Sequence, residues 1–206
     1  MKIVWIISII IGFSFVAHAD RVRNGGTYVT CSNLSYFYDL YELTKIQKIE
    51  PVIPIGKNPF QMASDIIDRQ SDQNIVFKNL LRTYLQDMKK NMIFSNQKLI
   101  INGDIPTYTI QRDCQMFQAA VSGMQDDQWV CYLYGGSWDL LDYDNQTALI
   151  LHEIIYRITS DLGATTSTSA KLINQKLLVT KYDDSNSKNS LFNLRKKLNA
   201  LLPQEH

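Results

Sequence analysis

The sequence predicts a single α+β domain, and three observations lead there. Apolar residues recur at helical spacing on both sides of the chain's middle, most cleanly at Phe77, Leu80, Leu81, Tyr84, Leu85 and Met88. Between about residues 98 and 134 the pattern changes to short β-branched and aromatic runs broken by turn residues. Residues 147–158 then read as one helix that is apolar nearly all round, and such a helix is buried. Strands gathered between helices favour α+β over alternating βαβ units. The expected architecture is a small antiparallel sheet over residues 98–134, packed by helices on both sides in sequence, with a buried central helix over residues 145–161.

Residues 1–19 read as a secretory signal peptide. Met1-Lys2 gives a positive start, residues 3–16 are apolar, and Ala17-His18-Ala19 is a small-x-small cleavage site before Asp20. The apolar run is shorter than the ~20 residues a span needs. Cleavage after Ala19 is therefore expected, leaving residues 20–206 as one globular domain in the periplasm or the medium, with no stable membrane anchor. The chain carries 21 Lys+Arg against 20 Asp+Glu, and loss of Lys2 balances them. That balance gives no reason to expect nucleic acid as a partner. A protein or another component of the envelope is the expected partner.

In order along the chain, Asn24-Gly25-Gly26 is a turn before a strand at residues 27–31. Its glycines resemble an anion nest, but no Lys-Ser/Thr of the phosphate-loop kind follows. Asn33 is placed to cap a helix through Leu34, Phe37, Tyr38, Tyr41 and Ile46, whose aromatics suit core packing better than base stacking. Residues 51–56, with Pro51, Pro54 and Gly56, form a connector. Two helices follow, the second with Lys78, Arg82, Asp87 and Lys89 on a solvated face. Residues 98–101 and 107–111 flank an Asn102-Gly103-Asp104 turn. Further strands are expected at residues 117–121 and 129–134, ended by Gly135-Gly136. Ser137 is placed to cap a short turn, Asp144 the central helix, and Gly163 to stop it. A sequon at Asn145-Gln146-Thr147 falls on the helix start, a poor acceptor site. Residues 165–169 cap a helix at 170–178. Residues 181–188 read as a linker to a last helix with Leu191, Leu194, Leu198 and Leu201 on one side.

Three cysteines, Cys31, Cys114 and Cys131, in an exported chain imply one disulfide and one thiol left over. Spacing alone leaves the pairing open. No C-x-x-C motif supports a zinc knuckle.

The candidate site lies on the central helix. His152 and Tyr156 share one face, and Glu153 and Arg157 the next, in the order that favours an ion pair. His-Glu inside an apolar helix invites comparison with the zinc-peptidase pattern H-E-x-x-H, but Tyr156 stands at the second histidine. After signal removal only His152 and His206 remain, so a histidine-rich metal site is not expected, nor any cofactor. His152 is the one credible base for a hydrolase, and no G-x-S-x-G motif supplies a nucleophile. The preferred reading is a buried polar network holding the helix against the sheet and the loop at 165–169. The alternative is a hydrolase, metallopeptidase-like, using His152 and Glu153. On the structural reading Arg157→Ala is expected to be at least as damaging as Glu153→Ala, with His152→Ala milder.

Asn24-Gly25-Gly26, Asp113-Cys114, Gln118-Ala119-Ala120-Val121, Trp138-Asp139-Leu140-Leu141, the stretch from Gln146 to Arg157 and Thr166-Ser167 resemble a family of secreted proteins of Gram-negative bacteria, predatory ones among them. The likeness spans most of the mature chain, and its specific part is His152-Glu153-x-x-Tyr156-Arg157. The family carries no assigned activity, so the resemblance implies a destination and an architecture. It also implies Cys31–Cys114 as the disulfide. Lys171 stands where the family usually has arginine, which removes the planar fork of an anion clamp.

Overall fold

The computed structural model describes residues 23–24, 26–70, 75–99, 110–125, 128–164 and 166–179. The fold is α+β, as the hydrophobic pattern predicts. In chain order the elements are β1 (Arg23–Asn24), β2 (Thr27–Cys31), β3 (Leu34–Phe37), α1 (Tyr38–Tyr41) widening into a π-helical turn (Glu42–Ile46), α2 (Pro59–Asp68) and α3 (Ile75–Asn91). Then come β4 (Met92–Ser95), β5 (Cys114–Gln118), β6 (Ala120–Gln125), β7 (Gln128–Tyr134), α4 (Gly135–Trp138), α5 (Tyr143–Asp161) and α6 (Thr168–Val179).

The strands form two sheets rather than one. An antiparallel sheet has the order β3-β2-β5, and a mixed sheet has the order β1-β6-β7-β4, with β4 parallel to β7. The chain passes between sheets twice at one place. Gly26 lies between β1 and β2, and Ala119 between β5 and β6. The Gly26 carbonyl accepts from the amides of Ala119 and Ala120 at 2.9 and 3.1 Å, and from Gln118 Nε2 at 3.0 Å. These bonds fix the crossing that sets the two sheets side by side. They also explain why the strand expected at residues 117–121 is broken, since Ala119 gives its amide to Gly26 and not to a ladder partner.

Helix α5 is the centre of the core. Leu149, Ile150, Leu151, Ile154, Ile155 and Ile158 are all buried, each side chain contributing about 1.5–3 kcal/mol by leaving water. Around it pack Ile66 and Ile67 of α2, Leu81, Leu85 and Met88 of α3, and Ile173 and Leu177 of α6. Asp142, not Asp144, caps α5, its Oδ1 accepting the Asn145 amide at 2.9 Å. Asp144 falls in the first turn instead, because the helix starts at Tyr143, two residues before the expected start at 145. Gly163, at φ +88°, ends α5 with the Ala164 amide bonded to the Thr159 carbonyl, the expected left-handed stop. Asn145 of the sequon is buried and accepts the Phe37 amide at 2.7 Å.

Other differences have local causes. No helix starts at Asn33. Ser32, at φ 54°, and Asn33 make a tight turn that pairs Cys31 with Leu34, so β3 returns along β2 and the helix begins at Tyr38. Aromatic spacing fits both periods over so short a run. Strand β4 is missed by sequence because four residues after a helix are too few to show alternation. Lys98 and Leu99 are in no strand, nor are Ile110 and Gln111. Ser137 lies inside α4, bonded to the Tyr134 carbonyl at 2.8 Å. Lys78 is not solvated: its Nζ donates to the carbonyls of Asp68 and Gln70 at 2.7 and 3.1 Å, closing the end of α2.

Cys31 and Cys114 face each other across β2 and β5, Cα atoms 4.2 Å apart, and are disulfide-bonded. This is the pair that the family resemblance implied. Cys131 is a buried free thiol. Among the described residues no helix is long and apolar enough to cross a membrane. The expected signal peptide, the expected turn at 102–104, residues 107–109, and the expected linker and last helix lie outside the described residues.

Candidate functional site

Successive residues on a helix point about 100° apart, so the neighbours His152 and Glu153 serve different parts of the fold. His152 turns to α1 and α6, and Glu153 to the crossing of the two sheets. Both are sealed, at 4% and 1% exposure.

His152 Nδ1 lies 2.8 Å from Asp39 Oδ2, and Asn174 Nδ2 donates to the same oxygen at 2.8 Å. Asn174 Nδ2 also reaches the Ala148 carbonyl at 2.9 Å. One carboxylate thus ties α1 to α5 and α6. Gln175 extends the set, donating to the Asp39 carbonyl and to Glu42 Oε2, which Lys171 pairs at 3.0 Å. The Phe37 ring stands edge-on to the imidazole at 5.3 Å. Burial alone pulls the imidazole pKa down, but the Asp39 carboxylate, by charge and hydrogen bond, outweighs it, and the net direction is up. Nε2 is buried without a hydrogen-bond partner.

Glu153 Oε1 accepts the Gly26 amide, and Oε2 is 2.6 Å from Ser122 Oγ. Gly26 can come this close because it has no side chain: a Cβ there would sit 2.4 Å from Leu149 Cδ1 and 2.6 Å from Phe37 Cε2. Ser122 is paired with Cys131 across β6 and β7. Burial pushes the Glu153 carboxyl up, and the nearby imidazole and the two donors only partly offset it.

The expected Glu153–Arg157 ion pair does not form. The Arg157 side chain leaves the core, with Nη1 3.2 Å from Asp87 Oδ2 and its guanidinium over the Tyr84 ring at 4.0 Å. Burial and a hydrogen bond to Asp161 push the Tyr84 phenol up to about 12. Arginine's long stem reaches a partly wet carboxylate, which spares it the desolvation that Glu153 would demand. Tyr156 is buried with its ring 6.3 Å from that of His152, and the two make no hydrogen bond with each other.

The four sequence candidates therefore do not converge. His152 and Glu153 bond to α1, α6 and the sheets, where the sequence reading had given the loop at 165–169 a share. Among the described residues no three or more His, Cys, Asp or Glu side chains gather as a metal site would need. Sequence reasoning missed Asp39, Asn174, Ser122 and Gly26. An aspartate inside Tyr38-Asp39-Leu40-Tyr41 and an asparagine inside an apolar helix are readable signals, since buried polar groups need partners. Ser122 carries no such signal, and the glycine turn at 24–26 hinted only at an amide facing some anion. In chemical terms the arrangement offers an imidazole oriented by a carboxylate and a carboxyl clamped by two donors, both inside the core. Compared with known proteins, the chain matches no family model, no curated protein and no solved structure.

Proposed function

We propose that the protein is exported with loss of residues 1–19 and works as a non-enzymatic structural or partner-binding component of the periplasm or the medium. In this reading His152, Glu153, Tyr156 and Arg157 serve the fold. The observation that carries it is the burial of His152 and Glu153 together with the partners each has: Asp39 for one, Gly26 and Ser122 for the other. An active-site pair needs a path to substrate; a core pair needs partners. The signal-like start, the disulfide Cys31–Cys114 and the likeness to secreted proteins support the destination.

The alternative, a hydrolase using His152 and Glu153, draws on one observation. Asp39 fixes Nδ1 and leaves the Nε2 lone pair free, the orientation in which an Asp–His pair works as a general base.

Two measurements decide. The N-terminus of the exported protein is expected at Asp20, and a mature species that keeps Met1 ends that part of the reading. Thermal melts of His152→Ala beside zinc analysis of the wild type address the rest. A lowered melting temperature without bound zinc supports the structural role. A variant that melts with the wild type, yet has lost a hydrolytic activity or a stoichiometric zinc ion, overturns it.

A further inference from the structure

Glu153 is a buried acid with no counter-ion among the described residues. Among the described residues no lysine or arginine lies within ion-pair distance of it. Arg157, one turn along α5, is held by Asp87. The titratable groups that act on Glu153 are His152 beside it and Asp39 on α1, while Cys131 on β7 responds to its charge. Lys171 on α6 acts on His152 and is paired with Glu42. Among the described residues only His152 can place a positive charge beside it, and its Nδ1 belongs to Asp39. Two ionised carboxyls and one imidazolium would leave the core with an uncompensated negative charge. A carboxyl in that position takes up a proton instead.

The hydrogen bonds fit a neutral acid. Oε1 needs only to accept from the Gly26 amide. Oε2, 2.6 Å from Ser122 Oγ, can carry the proton and donate it, and that distance suits an O–H···O bond in either direction. The Ser122 hydroxyl can then turn its own proton toward Cys131, its cross-strand neighbour.

We propose that Glu153 is held as a neutral carboxylic acid in the folded protein at neutral pH, which makes Gly26–Glu153–Ser122 a latch closed by a bound proton. Burial acts in the same direction. Folding takes up one proton at this site. In alkaline solution the proton leaves, a second negative charge appears near Asp39, and the crossing that joins both sheets to α5 loosens. This deepens the structural reading of Glu153 and rests on it.

Infrared spectroscopy tests it directly, because the chain has four glutamates: Glu42, Glu50, Glu153 and Glu205. In protein labelled with 13C-glutamate near pH 7.5, a protonated-carboxyl band that shifts with the label and is absent in Glu153→Gln is expected. No labelled band in the wild type overturns the proposal, whether or not the variant folds.

Melting temperatures give a second arm. Between about pH 5 and 6, His152 is largely charged in folded and unfolded chain alike, while an unfolded glutamate is ionised. The wild-type melting temperature is expected to fall as pH rises through that window. Glu153→Gln, which mimics the neutral acid, is expected to remove this slope and to melt no lower than wild type near pH 7.5. A Gln variant that melts lower there and keeps the slope overturns the proton latch while leaving the structural role standing. A Glu153→Ala variant as stable as wild type would remove the structural role itself.

Discussion

Glu153 Oε1 accepts the backbone amide of Gly26, joining the central helix to the chain between β1 and β2 across 127 residues of sequence. Gly26 in turn receives three donors on its carbonyl. The side chain of one helix residue therefore holds the place where two sheets meet.

Truncating Glu153 strands the Gly26 amide and unties Ser122 in the core. Each unsatisfied group costs about 1–3 kcal/mol, so Glu153→Ala is expected to lose roughly 3–5 kcal/mol. Arg157→Ala is expected to lose about 1–2 kcal/mol, because its pair with the half-exposed Asp87 is partly screened and its stacking on Tyr84 is a modest gain. The sequence-based order of damage is thus reversed. Urea unfolding of both variants checks it, and Arg157→Ala as the worse of the two would contradict the contacts described.

Gly26→Ala tests the crossing from the other side. The new Cβ would collide with Leu149 and Phe37 and press on Glu153 Oε1 at 3.2 Å. Overpacking of this kind costs about 1–3 kcal/mol, and here the Gly26–Glu153 bond is stretched as well. A Gly26→Ala protein with wild-type stability would show that the crossing yields more easily than its packing implies.

The His152–Asp39 pair predicts a second pH effect, separate from that of Glu153. The folded imidazole pKa is raised above its ordinary 6.5. A raised histidine gives stability that is fully present below the unfolded value and is lost as pH rises through the folded value. The melting temperature of the wild type is therefore expected to fall as pH rises above about 6.5. His152→Gln should make that part of the profile less steep, leaving the share that belongs to Glu153. A His152→Gln profile that keeps the wild-type fall above this pH would assign the effect elsewhere.

The disulfide closes a span of 83 residues. By loop entropy such a bridge stabilises by roughly 4–5 kcal/mol, so reduction, or Cys31→Ser with Cys114→Ser, should lower the urea midpoint sharply. Cys131 is buried and its thiol pKa is pushed well up by that burial. Thiol titration should find no reactive cysteine in the folded oxidised protein and one after unfolding. A reactive thiol in the folded state would mean that Cys131 is reachable.

The helices were legible because their signals are local and long. The face of α3 and the all-round apolar run of α5 repeat over several turns, and Gly163 stops α5 where only a left-handed residue fits. The strands at residues 27–31 and 129–134 were legible too, but two of the shortest were not. Met92–Ser95 has no room for a period, and Leu34–Phe37 carries aromatics that suit a helix equally well.

Sequence by itself determined that residues 147–158, Arg157 apart, are buried, that His152 and Glu153 must find partners there, and that the fold mixes helices with a mid-chain group of strands. It could do so because burial and periodicity are properties of neighbouring residues. Which partners they find was decided only by tertiary structure. Arg157 is four residues from Glu153 and the natural guess, yet Glu153 bonds Gly26 and Ser122, and His152 bonds Asp39, 113 residues away. The physical reason is that a buried polar group is satisfied by whatever the packed elements bring within about 3 Å. Sequence spacing does not fix that distance across sheets and helices.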